Sequence, residues 1–168
     1  YHPDRLSAQL LWFESGEVEY RFSLGEIDPV QVEWLEISME LSSNAPMYRE
    51  SFKSDIYVGL GETELGVWTS PGDYGARRGR FNPSWWSDTS SQYGLLKTWR
   101  VDNQGCTLDG EPLSSVTLAD LNLGGQDYLA LRIGVHADAA HVGGINLFGE
   151  QFGDFAQGIV VRVGYAKP

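Results

Sequence analysis

The chain has one cysteine, Cys106, in 168 residues, so no disulfide can close within it. It also lacks any apolar run near the roughly 18 to 20 residues that a membrane-spanning helix requires, and no signal-peptide or lipidation pattern is read at its start. Positive charge is scarce. Twelve Lys and Arg against 23 Asp and Glu leave a formal net charge of -11, a balance that disfavours a phosphate backbone as a direct partner. The one local exception is Arg77, Arg78 and Arg80, three cations within four residues that could face an anion or simply solvate a loop.

Other absences remove chemistries. GARRGR lacks the lysine and the strand-to-helix setting of a phosphate loop, and there is no GxSxG turn for a hydrolase nucleophile. His136 and His141 stand five apart with no cysteine cluster, so a transition-metal site is not expected. Calcium needs only oxygens, which leaves Asp73, Asp138 and Asp154 as candidates for a structural Ca²⁺. No other cofactor is called for. Cys106, beside an Asp109-Gly110 turn signal, reads as a packing residue.

What is present is alternation of period two. From Glu17 to Leu24, Val18, Tyr20, Phe22 and Leu24 alternate with polar residues. The pattern returns in VEWLEISMELS, where Leu35, Ile37, Met39 and Leu41 oppose Trp34, Glu36, Ser38 and Glu40, and again in SDIYVGL, YLALRIGV and GIVVRV. Each such strand has one dry face and one wet face. Turn signals fall at Ser15-Gly16, Gly61-Glu62 and Asp109-Gly110, and the best helical candidate is the short run Val116 to Leu121. The expectation is an all-β fold over residues 1–168, a single antiparallel β-sandwich of jelly-roll type.

Two segments break the alternation. Ser70 to Gly94 holds SPGDYGARRGRFNPSWW, rich in glycine and proline yet carrying Phe81, Trp85, Trp86 and Tyr93. That apolar surface is too large to leave in water, so the loop is expected to fold back on the sandwich. HADAAHVGGINLFGEQFGDFAQG repeats the combination with Phe148, Phe152 and Phe155, and the two loops are expected to lie near each other.

WTSPGDYGARRGRFNPSWW, then QYGLLK, DLNL, RIGV and HVGGINLFGEQFGDFAQ, together with LLWFESGEVEYRF and LEISMELSSNAP, resemble the C-terminal β-rich domain of bacterial two-domain regulators of the ArsR winged-helix type. The likeness runs over nearly the whole chain. It implies a sensory or assembly domain in the bacterial cytoplasm, with a winged helix supplying DNA contacts; no helix-turn-helix pattern occurs here. Where that family closes on Gln-Asp before its last strand, this chain has Gln157-Gly158, one carboxylate fewer for an acidic ligand site.

Three functional readings follow. In the first, Trp68, Trp85, Trp86 and Tyr93 stack on the apolar face of a small ligand such as a carbohydrate, and Asp73, Arg80, Asn82 and Gln92 bind its hydroxyls. Adjacent residues of an extended segment point opposite ways, so one tryptophan of the pair is expected inward and Trp85 toward the ligand. A stand-alone carbohydrate-binding module of this kind would be extracellular. In the second, the aromatic loops form a homodimer interface with no ligand. The third is a jelly-roll glycoside hydrolase using Glu19 with Glu36 or Glu40 across a cleft, weighed against ordinary cross-strand pairing of those glutamates with Arg21, Arg132 and Arg162. Binding without catalysis is the reading the sequence favours.

Overall fold

The computed structural model describes residues 7–25 and 27–166. The alternating segments form strands, in chain order β1 (Leu10–Phe13), β2 (Gly16–Ser23), β3 (Val32–Ser42), β4 (Ser54–Leu60), β5 (Thr63–Ser70), β6 (Leu95–Asp102), β7 (Cys106–Leu108), β8 (Glu111–Ser114), β9 (Tyr128–Val135), β10 (Ile145–Phe148) and β11 (Val160–Tyr165). One sheet runs β1-β10-β3-β6-β7-β8, with β11 also paired to β3; the other runs β2-β9-β4-β5. All pairings are antiparallel. The fold is the all-β sandwich that the alternation implies.

The dry faces meet as expected. Leu35, Ile37, Met39, Leu41, Trp99 and Val101 of the larger sheet pack with Ile56, Val58, Leu131, Ile133 and Val135 of the smaller, all fully buried. Each aliphatic side chain so buried contributes about 1.5 to 3 kcal/mol. Cys106 joins this core, and burial pushes its thiol up to about 11, so it stays protonated and packs as a small apolar group.

The turns differ in kind. Asp109 and Gly110 both take positive φ, 52° and 87°, in the hairpin between β7 and β8, as the Asp-Gly pair dictates. Gly61-Glu62 closes the β4–β5 hairpin. Ser15-Gly16, by contrast, carries the chain from one sheet to the other, since β1 pairs β10 and β2 pairs β9. Val116 to Leu121 yields only a 3-10 turn at Leu118–Leu121, tied at its start by Thr117 N and Oγ1 donating to Asp120. Ile145–Phe148, assigned to a loop by its glycine-rich surroundings, pairs into the sheet as β10.

β10 pairs with Glu40–Ser42 at one end of β3, and β11 pairs with Val32–Ser38 along the rest of the same edge. Between them residues 149–159 leave the edge and return. This excursion and the 71–94 segment between β5 and β6 fold over the outer face of the sheet at the Ser42 end of β3. The alternation of β3 accordingly holds from Trp34 to Ile37 and stops there, since every residue from Ile37 to Ser42 is buried.

Candidate functional site

Glu40 is the pivot of the covered end. Expected on a wet face and considered as a catalytic carboxylate, it is instead fully buried beneath the two loops. Its carboxylate accepts hydrogen bonds from Gly94 N at 2.8 Å, Asp154 N at 3.0 Å and Phe155 N at 3.1 Å. Burial nevertheless outweighs these donors and leaves its pKa above the ordinary carboxylate range. Gly153 sits against it at φ 79°, where a Cβ would stand 2.5 Å from the carboxylate.

The remaining glutamates also depart from the hydrolase expectation. Glu19 lies on the outer face of the smaller sheet, bonded to Arg21, and Glu36 on the outer face of the larger one, between Arg100 and Arg162. The core separates them. Glu36 and Glu40 are four residues apart on one strand, roughly 13 Å. No pair of the three can flank one glycosidic bond.

The two aromatic loops do pack on each other. Arg77 grips Asp154 with both terminal guanidinium nitrogens and lies 3.8 Å over the Tyr93 ring, which stacks on Tyr74. Burial pushes the Asp154 carboxyl up, but Arg77 outweighs it and holds the group below the usual range. Arg80 N also donates to Asp154, while the Arg80 side chain is exposed. Asn82 donates to Gln92 and accepts from Gly153 N, and the buried Gln92 amide donates to Ser87 O and Ser90 O. Arg78 binds Trp86 O, Pro83 O and Asp88. Of the residues expected to contact a ligand, Asn82, Gln92 and Tyr93 thus hold the loop's shape, and Trp68 is buried in the core under Lys97.

Asp73 is buried as well, without a cation. Its Oδ2 accepts from Ala45 N at 2.8 Å and Ser91 Oγ at 2.7 Å, and its Oδ1 has no partner. Burial raises its pKa. The calcium candidates therefore fall into three different settings, Asp73 under the loop, Asp154 on Arg77 and Asp138 exposed in the turn after β9; no group of three metal-ligating side chains occurs among the described residues.

Above Asp73 lies a cavity of about 230 Å³. Its walls are apolar: Trp12, which is 58% exposed, Met47 and Trp86. Its floor is polar and uncharged: Asn44, Ser90, Ser91 and Asn146. The sheet register builds this floor, because Trp12, Asn146 and Ser42 are successive cross-strand partners on β1, β10 and β3 and project on the same outer face. Trp86 is positioned by its indole N–H donating to Ser91 O at 2.8 Å and by edge contact with Phe152. Trp85 stands outside the cavity, 75% exposed, its ring edge-on to Trp86. The pair lies in a turn closed by Trp86 N on Pro83 O, not in the extended segment expected, and it is the half-buried Trp86, not Trp85, that lines the cavity.

Met47 and Tyr48 take φ of 53° and 36°, left-handed values that cost non-glycine residues energy and that gather at binding sites. Trp12 is not among the ligand-contacting residues expected from the sequence. The signal was there, since Leu11 and Phe13 pack against the core and the intervening tryptophan must face out. A second depression, about 300 Å³, lies at the other end of β3 among Pro29, Val30, Leu118 and Leu123 with Asn103 and Asn122, and has no aromatic face. No helix among the described residues is long and apolar enough to cross a membrane. No family model matches the chain, and no curated protein matches it.

Proposed function

We propose that this chain is a non-catalytic small-ligand-binding domain, a sandwich of the jelly-roll kind, whose site is the cavity walled by Trp12, Met47 and Trp86. A carbohydrate is the ligand class that suits it. Sugar rings pair an apolar C–H face with a rim of hydroxyls, and the cavity pairs indole faces with serine and asparagine. The observation that carries the reading is this convergence of apolar walls and a neutral polar floor at one place. The volume suits one sugar unit. The separation of Glu19 from Glu36 by the core and the burial of Glu40 support binding without hydrolysis. The resemblance to effector halves of winged-helix regulators supports a sensory role for the same site.

A thermal-shift panel of mono- and oligosaccharides tests the reading. A ligand that binds only the native state adds about 2.7 kcal/mol at a hundredfold excess over Kd. A sugar-specific rise in Tm that Trp12→Ala abolishes is the expected result, and a flat panel counts against it. The exposed side chains of Trp85, Phe81 and Phe155 favour a second reading in which the aromatic loops join two copies of the chain. Light scattering separates the two, since a dimer that dissociates in Trp85→Ala belongs to the second reading alone.

A further inference from the structure

The Asn146 side chain lines the cavity although the residue is only 2% exposed. Its Nδ2, with two hydrogens to give, lies 2.7 Å from Ser43 O and 3.1 and 3.2 Å from Ser91 Oγ and Ser42 Oγ, all within donating distance. A backbone carbonyl can only accept, so the amide cannot be turned the other way round. Both hydroxyls are already committed as donors, Ser91 to Asp73 and Ser42 to Ser43 O. The whole network therefore fixes Asn146 Oδ1 as an acceptor, and among the described residues nothing donates to it. Nor is it one of the occluded unpartnered atoms, which are Asp73 Oδ1 and Trp99 Nε1. A nearly buried acceptor at the floor of a cavity needs a donor from whatever fills it.

Charge supplies an independent argument. No lining side chain is a cation. Directly behind the floor lies the buried carboxyl of Asp73, bonded to Ser91. An anion entering here would be stripped of water with no counter-charge to meet it. Asn44, whose side chain makes no hydrogen bond among the described residues, can offer either a donor or an acceptor at the floor.

From these two observations we infer that the site selects a hydrogen-bond-donating ligand without negative charge, a sugar that presents a hydroxyl or an ammonium to Asn146 Oδ1, and rejects its acidic counterparts. The inference rests on the small-ligand reading above and names the ligand class within it.

The test is a matched set of pyranoses, glucose, galactose and mannose, each as the neutral methyl glycoside, the 2-amino-2-deoxy sugar and the uronate. Binding is followed by tryptophan fluorescence and by NMR of the Asn146 side-chain amide. The expected result is saturable binding by at least one neutral or amino sugar, with its uronate at least tenfold weaker. The neutral and amino arms tell which group, hydroxyl or ammonium, is the donor. Because Asn146→Ala would dismantle the serine network, the variant used is Asn44→Asp, which breaks no internal bond and should widen the gap between amino sugar and uronate about tenfold. A uronate bound as tightly as its neutral partner overturns the inference and leaves the small-ligand reading standing. If no member of the set saturates, both fall.

Discussion

At the scale of single residues, the covered end of the sheet is held by two buried carboxyls that face backbone amides and hydroxyls in place of cations. Replacing Glu40 by Gln puts an amide donor where three N–H groups converge, leaving at least one of them unmet. The expected loss is about 1 to 3 kcal/mol in chemical denaturation, with faster hydrogen exchange at Gly94, Asp154 and Phe155; unchanged protection at those amides would contradict the assignment. Asp73 makes a different prediction, because burial raises its folded pKa above the unfolded value. The native state then holds the proton longer than the unfolded chain, so this group's contribution to stability falls as pH rises through the raised pKa and is constant above it. Asp73→Asn does not titrate. Its stability relative to the parent should improve as pH rises from about 4 to 7, and a difference that is flat or declines with pH would refute the sign. Neither carboxyl's role was legible in the sequence. Glu40 occupies a regular wet position in VEWLEISMELS, and only the return of distant loops makes that position dry.

At the scale of elements, the strands were legible and the loops were legible only as loops. Period-two alternation in the sequence gives β2, β3, β4, β9 and most of β11 nearly to the residue, although only β2 keeps that alternation in its burial, the outer faces of β4, β9 and the far end of β3 being largely covered. β10 was hidden, since all four of its residues are buried on both faces and so show no alternation. The loop aromatics identified a folded segment correctly, yet their individual duties depend on tertiary partners. Arg77, Asn82 and Gln92 resemble ligand-binding groups in sequence and act as internal ties. The tightest of these ties is at Gly153, where positive φ and the Glu40 carboxylate both exclude a side chain. Gly153→Ala should destabilise the domain by about 1 to 3 kcal/mol, and the 149–159 loop should become the first point of proteolytic cleavage. A melting temperature equal to the parent's would show that the loop can shift without cost.

At the scale of the whole molecule, the sandwich is a frame with a cavity at one end of one outer face, the place of the proposed binding site. The same register that sends Leu11 and Phe13 inward sends Trp12 outward beside Asn146, and the loops add Trp86, Met47 and a network of buried serines. Five further tryptophans accompany Trp12, so a site-resolved titration can localise binding with an internal control. The measurement that tests the account most directly is a ¹H–¹⁵N NMR titration of the chain with the neutral sugars. The account predicts that the indole signals of Trp12 and Trp86 and the side-chain amides of Asn44 and Asn146 move together along one saturation curve, while Trp34, Trp68 and Trp99 stay in place. Movement centred on Trp34 and Arg100, or none at any tryptophan, would contradict it.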